Sequence, residues 1–485
     1  MSSQHRSADA LFQAGLGYLK GRAWTQAAQA FAQALVSQPK HQDALLMGGR
    51  LAAQMGDATL AVSLLTRLIK LVPGHIDALN ARGAAQLALR APELALLNFD
   101  KVAELQPAAD FAHANRGLAL LALHRPKEAL AAFDQALALR PDNAPAHGNR
   151  GNALNRLHRW DEANAAFTAA LALQPQLHLA RWNLGMNLLR LGQWEAGWQQ
   201  AEARLDLFDA QGWRAPSTAP RWSGDSAVEG QRLLVHSEQG LGDTLQFSRL
   251  TMQLQQMGAH VVLEVQPPVR SLLARALSGI EVVARGAALP PHDLQCALMS
   301  LPLALHTDVA APPPPTPLRA DPARVAAWQA RLGPRTRPRV GLVWSGNPQQ
   351  NDDIHRSIPL ATLWPTLHAG VEWVSLQQAV QPWDEAALAR SGLRHFGDAL
   401  TDFEDTAALC EHMDLVVSVC TSVAHLAGSL GRPLCLMLAH TADWRWLNDR
   451  SDSPWYPGAR VFRQPAAGDW PGALAQLKAD VDARF

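Results

Sequence analysis

Lysine is nearly missing from most of this sequence, because five of the six lysines lie at or before Lys127 and only Lys478 follows. Cysteine is scarce too, and its four positions have neither metal-site nor disulfide-framework spacing: Cys296, Cys410, Cys420 and Cys435. No run of about 18 apolar residues occurs, which argues against a membrane helix. The first residues, MSSQHRSADALFQ, lack the apolar segment of a signal peptide. These absences predict a cytoplasmic protein.

Net charge is also lacking, since 43 Lys+Arg balance 43 Asp+Glu over 485 residues. A general nucleic-acid binder needs a surplus of basic residues, so this class is not expected. The balance conceals two unlike parts: residues 1–205 hold 20 basic and 15 acidic residues, and the remainder holds 23 and 28. Of 16 tryptophans, only Trp24 and Trp160 precede residue 181. The length suggests about three domains.

A period of 34 residues organises the first part of the chain. Four sets of residues repeat in register: prolines at Pro39, Pro73, Pro107, Pro141 and Pro175, glycines at Gly15, Gly49, Gly83, Gly117 and Gly151, alanines at Ala27, Ala61, Ala95, Ala129 and Ala163, and large apolar residues at Phe31, Leu65, Phe99, Phe133 and Phe167. Such a period indicates a solenoid in which small residues let two helices approach and proline ends the second helix. The pattern resembles the tetratricopeptide repeat. It predicts an all-α solenoid over 8–205, with five full repeats and a partial sixth.

Three asparagines share this period: Asn115, Asn149 and Asn183 lie on the first helix of successive repeats. In stacked repeats they would form a ladder that holds the backbone of an extended peptide through amide contacts. The alternative is that asparagine at this position serves packing between helices. With either interpretation, we expect the array to bind a protein or peptide.

The second part alternates between apolar runs of strand length and helical stretches. Strands are expected at 232–238, 261–266 and 280–286, and after the proline-rich segment 311–317 at 339–346, 371–377, 414–419 and 433–438. This alternation predicts parallel sheets covered by helices, in two α/β lobes at 222–325 and 336–485. Ligands in such sheets bind beyond the carboxyl ends of the strands.

The first strand-end motif is SEQGLGDTLQFSR at 237–249. Gly240 and Gly242 permit a tight turn and close approach of a ligand. Asp243 is either a general base or a carboxylate that caps the following helix. The segment is not a dinucleotide fingerprint, since Leu245 occupies the third glycine position, and it is not a P-loop.

The second motif is VWSGNPQQNDDIHRSIPL at 343–360, with Ser345, Asn347 and Arg356 as candidate ligands of a phosphate. No lysine lies between residues 128 and 477, so a charged phosphate clamp here must use arginine or histidine. Arginine offers a bidentate fork to phosphate oxygens. The alternative for Arg356 is an ordinary surface arginine.

The third motif, at 414–438, is a strand followed by CTSVAHLAGSLGRP. Thr421 or Ser422 is expected to cap a helix that runs to Leu430, and the N-terminus of that helix is suited to a diphosphate. His425 lies near this end and is either a phosphate ligand or a packed histidine.

Together these motifs resemble the heptosyltransferase-like glycosyltransferases of family 9 over about 222–485. Fusion of such a region to tetratricopeptide repeats is similar to bacterial repeat-bearing protein glycosyltransferases and to O-linked N-acetylglucosamine transferases. The resemblance implies a GT-B pair of Rossmann-like lobes and metal-independent, inverting transfer from a nucleotide-diphosphate sugar, with no other cofactor. It also implies a role for each motif residue: Asp243 as the general base, Thr421, Ser422 and His425 on the donor diphosphate, and Ser345, Asn347 and Arg356 lining the donor site.

In the family, an aspartate usually stands directly before the threonine of the third motif, and this sequence has Cys420 at that place. A neutral thiol cannot replace a carboxylate in hydrogen bonding or in orienting a loop. Further candidates near the donor are Gly240, Gly242, Gln377, Cys420, Asp443, Trp444 and Arg445. No Asp-x-Asp pair of the metal-chelating kind occurs in the lobes, and Asp352 and Asp353 are adjacent. The last stretch, 472–485, predicts a terminal helix, and the resemblance implies that it crosses back to the first lobe, as such helices often do in GT-B enzymes. The alternative function is a non-catalytic scaffold for protein interaction, whose glycosyltransferase-like lobes are inactive.

Overall fold

A computed structural model describes residues 7–308, 312–349, 353–367, 370–448 and 450–485. The chain divides into two compact units, and the boundary falls between Leu184 and Gly185. Within the described residues, no helix is both long and apolar enough to cross a membrane.

The first unit is entirely helical. Its helices are α1 (Ala8–Lys20), α2 (Trp24–Ser37), α3 (Gln42–Gln54), α4 (Ala58–Leu71), α5 (Ile76–Ala88), α6 (Pro92–Leu105), α7 (Asp110–Ala122), α8 (Pro126–Leu139), α9 (Ala144–Arg156), α10 (Trp160–Leu173) and the first half of α11 (His178–Arg190). From α1 to α10, each helix packs on the next one along the chain, as expected for a solenoid of helix pairs.

The residues of the 34-residue period form the contact between the two helices of each repeat. Phe133 of α8 is completely buried, and a Cβ atom added to Gly117 of α7 would lie 2.6 Å from its ring. The same contact recurs in the other repeats, and the periodic alanines are buried beside it. The sequence prediction of the helix pairs is therefore confirmed. The second helices end two residues before the periodic prolines, because a residue that precedes proline avoids the helical conformation.

A second periodic feature was not apparent from the sequence. The turn between the two helices of each repeat contains one residue with positive φ, and these residues are Arg22, Gly56, Arg90, His124, His158 and Gly192. Only two of them are glycine, so the usual sequence signal for this conformation is missing at the other four.

The second unit contains the rest of α11 and all later elements. They are α12 (Trp194–Ala201), α13 (Ala203–Ala210), β1 (Arg232–His236), α14 (Leu241–Phe247), α15 (Leu250–Gln256), β2 (His260–Val265), α16 (Arg270–Ala276), β3 (Glu281–Ala284), β4 (Leu294–Ala297), α17 (Leu301–Ala304), α18 (Pro322–Leu332), β5 (Arg339–Val343), α19 (Asp353–Arg356), α20 (Leu360–Leu363), β6 (Glu372–Ser375), α21 (Glu385–Ser391), α22 (Phe403–Cys410), β7 (Leu415–Val419), α23 (Ser422–Ser429), β8 (Leu434–Leu438), β9 (Ala459–Arg463) and α24 (Trp470–Arg484).

Two parallel sheets form the centre of this unit. The first has the strand order β3-β2-β1-β4 and the second the order β6-β5-β7-β8-β9. The seven expected strands are all present. Six of them are shorter than their apolar runs, and β2 has the expected length but begins one residue earlier. The sequence did not predict β4 or β9, the outermost strands on one side of each sheet. The unit is an α/β domain, as expected.

Helix α24 confirms the expected terminal helix, but it does not cross to the first sheet. Its buried side chains, among them Leu474 and Leu477, share one core with Val340 and Leu342 of β5. It also packs against β8 and β9. The expectation of a crossing was therefore wrong, because the apolar face of α24 is used to cover the second sheet.

We predict that Gly117→Ala destabilises the first unit by about 1–3 kcal/mol, because the new methyl group would overlap the buried ring of Phe133. Gly17→Ala in α1 is the matched control, since no atom lies within 4 Å of its added Cβ. That substitution should stabilise the helix by up to ~1 kcal/mol. Chemical unfolding followed by far-UV circular dichroism measures both changes. Equal midpoints for the two variants would contradict the packing role of Gly117.

Candidate functional site

The strand order of the second sheet brings two of the predicted motifs together. The chain passes from β5 to β6 on one side and continues at β7 on the other, so the strand order reverses between β5 and β7. Ligands of such sheets bind beyond the carboxyl ends of the strands at this point. The segment after β5 contains Ser345, and the segment after β7 contains Cys420 and Thr421. Arg356 connects them, since its Nη1 donates to the Cys420 carbonyl oxygen at 3.1 Å.

The second motif forms a hydrogen-bonded loop around Ser345 and Arg356. The buried Gln377 hydrogen-bonds to the Ser345 hydroxyl, and its Oε1 accepts from the Ser345 backbone N–H at 3.3 Å. Asp353, which the sequence did not single out as a partner, accepts from Arg356 Nε at 2.8 Å. Asn347 is exposed and accepts from the Gln349 N–H at 3.0 Å, so its amide serves its own turn. Asp352 lies outside the described residues.

The third motif provides a helix N-terminus and a buried histidine. Thr421 precedes the first residue of α23, Ser422, and its hydroxyl oxygen lies 3.3 Å from that of Ser418. The first N–H groups of a helix have no intrahelical acceptor, so Ser422 and Val423 present donors at this end. His425, one turn later, is buried, and its Nδ1 lies 3.0 Å from the Tyr456 hydroxyl oxygen.

Cys420 occupies a protected position beside this helix. Its Sγ accepts a hydrogen bond from Trp446 Nε1 at 3.2 Å. Burial raises the pKa of the Cys420 thiol to about 11. The side chain is therefore neutral at physiological pH and supplies no negative charge to the loop.

The first motif approaches the third through Gly242. A Cβ atom added to Gly242 would lie 2.8 Å from Cδ2 of His425 and 3.6 Å from Cα of Ser422. Glycine is required here because another side chain would collide with the imidazole. The start of helix α14 thus lies directly on helix α23.

Asp243 follows Gly242 and has two partners. Its Oδ2 accepts from the Gly240 N–H at 2.9 Å, which is the predicted capping interaction, and its Oδ1 forms an ion pair with Arg445. Burial raises the pKa of Asp243, and the charge of Arg445 opposes this rise. The cap does not exclude the general-base interpretation, because each carboxylate oxygen keeps a further lone pair.

Arg445 is the centre of the site. Besides Asp243, its guanidinium binds Asp443 through Nη1, at 2.9 and 3.0 Å to the two oxygens, and Nε donates to Gln246 Oε1 at 2.9 Å. The guanidinium carbon also lies 4.5 Å from the ring centroid of Trp444. Burial alone would raise the pKa of Asp443, but the ion pair and hydrogen bonds with Arg445 outweigh it and lower that pKa.

Helices α12 and α13 also reach this region. The Trp198 ring of α12 packs edge-on against Trp444 at 5.1 Å. Arg204 of α13 is buried at the carboxyl end of the first sheet, between β1 and β4, where the strand order reverses. Its Nη2 donates to Glu238 at 2.8 Å and to Ser300 at 2.8 Å. In this sheet, a side chain of the protein itself therefore fills the place where ligands usually bind.

The sequence did not predict that Asp353, Gln246 and Tyr456 belong to the candidate site. Gln246 and Tyr456 act through hydrogen bonds to residues far away in the chain, whereas Asp353 binds Arg356 three residues later on α19. The available signal for Tyr456 was its rarity, since the chain has only two tyrosines. Among the described residues, no group of three or more His, Cys, Asp or Glu side chains is arranged to hold a metal ion.

In the repeats, two of the three ladder asparagines pair with other asparagines. Asn115 Nδ2 donates to Asn80 Oδ1 at 2.7 Å, and Asn183 Nδ2 donates to Asn152 Oδ1 at 2.8 Å. Asn149 is half-buried on α9. Peptide binding by this ladder stays a prediction.

Comparison with known proteins identifies the repeats. Family models described as tetratricopeptide repeat match residues 9–41, 46–110, 111–143 and 149–211. The first unit is a tetratricopeptide-repeat array. Protein FlbA of Caulobacter vibrioides is 31% identical over 312 residues, which cover 58% of this chain and 51% of that protein. The chain thus spans about half the length of this relative.

Two solved structures are similar at lower identity. MamA from Desulfovibrio magneticus RS-1 is 22% identical with a TM-score of 0.34, covering 36% of this chain and 99% of the other. The tetratricopeptide protein TTC0263 from Thermus thermophilus is 23% identical with a TM-score of 0.33, covering 38% and 100%. The resemblance of residues 222–485 to heptosyltransferases stays a prediction.

We predict that His425 makes the second unit less stable in acid. Burial is the main cause that lowers the pKa of His425 to about 3, from 6.5. The unfolded chain then binds a proton that the folded chain refuses, so stability falls as the pH drops from about 6.5 towards 3 and is roughly 2 kcal/mol lower by pH 5. Tryptophan fluorescence measures this, because 13 of the 16 tryptophans lie in the second unit.

His425→Gln should have a flatter stability profile in that pH window. His260→Gln, at the exposed start of β2, serves as the control and should keep the slope of the parent protein. An unchanged slope in His425→Gln would contradict a neutral, buried imidazole.

Proposed function

We propose that this chain is a metal-independent, inverting glycosyltransferase of the GT-B type. It moves a sugar from a nucleotide-diphosphate donor to an acceptor hydroxyl, and the repeats bind the protein that provides the acceptor. The observation that supports this most is the contact of Gly242, which directly precedes Asp243, with Ser422 and His425 of α23. In this proposal the base would come from the segment after β1, and the helix end that binds the diphosphate would come from the segment after β7.

The proposed binding site of the donor diphosphate must supply positive electrostatic potential without a lysine. The N-terminus of α23 offers backbone N–H groups and the positive end of the helix dipole to a diphosphate. Arg356, held by the Cys420 carbonyl and by its ion pair with Asp353, adds guanidinium N–H donors beside the same helix. Together these groups would stabilise the charge that develops on the leaving diphosphate, which is the main requirement of a transferase that uses no metal.

Asp243 would act as the general base. It takes the proton of the acceptor hydroxyl while the hydroxyl oxygen attacks the anomeric carbon of the donor sugar. The bond from that carbon to the diphosphate oxygen breaks, and the electron pair leaves with the nucleoside diphosphate. A pKa raised by burial suits this role, because it strengthens the carboxylate as a proton acceptor. Arg445 would keep the carboxylate oriented.

The repeats would recruit the acceptor protein. Tetratricopeptide arrays typically bind peptides or proteins on extended surfaces. Here the side-chain amides of Asn115, Asn149 and Asn183 lie on the first helices of three successive repeats. Such amides can hold the backbone of an extended segment whatever its side chains are.

The second candidate is a non-catalytic scaffold, and Cys420 is the observation that favours it. The thiol is half-buried, neutral and hydrogen-bonded by Trp446, so the loop lacks the carboxylate that the family usually has there. In this case the repeats would still bind a partner, but the lobes would bind no nucleotide sugar.

We predict that Asp243→Asn lowers the transfer rate by at least about 100-fold, because an amide cannot accept the acceptor proton. Binding of the nucleoside diphosphate should remain, since Asp443 still pairs with Arg445. Asp225→Asn, at an exposed position of the same lobe, is the control and should keep full activity. Product formation and calorimetric nucleotide titration are the two measurements. Transfer by Asp243→Asn at the rate of the control would remove Asp243 from its role.

The response to nucleotide sugars separates the transferase from the non-catalytic scaffold. The parent protein is mixed with UDP-, ADP- and GDP-sugars, and thermal stabilisation and sugar hydrolysis are recorded. Stabilisation by one of them supports the transferase. The absence of any response to all three would favour the scaffold.

We predict that the triple substitution of Asn115, Asn149 and Asn183 by alanine raises KM for the protein acceptor by roughly tenfold or more, because several backbone hydrogen bonds are lost. Hydrolysis of the nucleotide sugar should stay unchanged and thus serves as the internal control. An unchanged KM would indicate that these asparagines only stabilise the repeats.

A further inference from the structure

Tyr456 is buried beside helix α23 and is held in one orientation. It is one of two tyrosines in the chain, and the other, Tyr18, is exposed. A Cβ atom added to Gly428 of α23 would lie 2.5 Å from the Tyr456 ring, so the helix backbone closes directly on the ring. The Tyr456 hydroxyl oxygen lies 3.0 Å from Nδ1 of His425.

The remaining surfaces of the His425 ring are also occupied. Trp446 stacks on one face, with ring centroids 5.4 Å apart and an interplanar angle of 26°. The edge formed by Cδ2 and Nε2 faces Gly242, whose added Cβ would lie 2.8 Å and 3.4 Å from these atoms. The two ring nitrogens therefore have different neighbours: Nδ1 faces the phenol, and Nε2 faces the glycine turn beside Ser422.

Arg249 determines which way the Tyr456 hydroxyl points. Its guanidinium carbon lies 5.2 Å from the Tyr456 ring centroid, and Nε donates to the Gln246 carbonyl at 2.7 Å. Among the described residues, no carboxylate forms an ion pair with this buried arginine, so its charge is not neutralised locally. An O–H dipole turns its hydrogen away from a cation. The Ser429 hydroxyl and Arg249 both face the Tyr456 oxygen as donors. The hydrogen of Tyr456 is then directed at Nδ1.

We propose that Tyr456 is a positioning residue that donates its hydroxyl hydrogen to Nδ1 of His425 and thereby keeps the imidazole hydrogen on Nε2. His425 is then a neutral N–H donor whose hydrogen lies between Gly242 and the N-terminus of α23. The use of this donor for an oxygen of the donor diphosphate rests on the proposed function. The assignment of the tautomer does not rest on the proposed function.

The charged groups around His425 support a neutral ring. Arg445 and Arg249 face it with positive charge, Asp443 contributes the opposing negative charge, and Tyr456 is the phenol at Nδ1. Burial and the two arginines lower the pKa of His425 to about 3, against the effect of Asp443. A fixed neutral donor gives the same hydrogen bond from about pH 5 to pH 8, where a free histidine would titrate.

The test is nuclear magnetic resonance of the full-length chain with isotope-labelled histidine, in which the nitrogen shifts distinguish protonated from unprotonated ring nitrogens. His425→Gln identifies the His425 signals by their loss. We expect Nε2 to carry the hydrogen in the parent protein and in the control Tyr18→Phe. In Tyr456→Phe this preference should be lost. A hydrogen on Nδ1 in the parent protein, or an unchanged tautomer in Tyr456→Phe, would overturn the proposal.

A binding measurement keeps this inference separate from the proposed function. UDP, ADP and GDP are titrated into the parent protein, Tyr18→Phe and Tyr456→Phe. Loss of the aligned N–H donor of His425 should lower the affinity for the nucleoside diphosphate about tenfold, and only in Tyr456→Phe. If no nucleoside diphosphate binds to the parent protein, the proposed function fails, while the tautomer measurement still decides the role of Tyr456.

Discussion

The second unit depends on the burial of one positive charge, that of Arg445. A buried guanidinium is strongly unfavourable unless carboxylates and hydrogen-bond acceptors surround it, and removing one partner of such a pair typically destabilises by about 3–5 kcal/mol. Here Asp443 comes from the same loop as Arg445, whereas Asp243 and Gln246 come from the helix after β1. The charge can be satisfied only if the ends of both sheets lie together. The same requirement aligns Gly242 with His425, so the geometry of the site and the stability of the unit have one common cause.

The first unit follows a different physical principle. Its packing is repetitive and local: a glycine on one helix receives a phenylalanine or leucine from the next, at a spacing of 16 residues, as between Gly83 and Phe99 or between Gly151 and Phe167. No single residue there has the importance of Arg445, because every repeat makes its own version of the contact. Stability of such arrays is approximately a sum over repeats and their interfaces.

The repeats, the strands and the location of the site could be predicted from sequence because each has a local signal. The 34-residue period predicted the helix pairs, and apolar runs followed by glycine or small polar residues predicted the strand ends at Ser345 and Thr421. Strand β4 has only four residues and no alternation of its own, so it became visible only through its pairing with β1. The bond between Tyr456 and His425 was not predictable for a related reason, since tertiary packing brings these two groups together. The ion pair of Asp353 with Arg356 is local, because the two residues lie one turn apart on α19. Asn347 shows the converse, since a residue in a motif can serve its own turn.

The placement of helices α12 and α13 has a practical consequence for dividing the chain. The sequence pattern of the repeats runs to about residue 205, and the turn-rich segment after it looks like a natural place to cut. A fragment that begins there would lack Trp198, which packs against Trp444, and Arg204, the cation that neutralises the buried Glu238. It would expose apolar surface and leave a carboxylate without its counter-ion, two common causes of insoluble protein. A fragment that begins near Gly185 retains both residues. For expression, the last helices of the repeat pattern are part of the α/β domain.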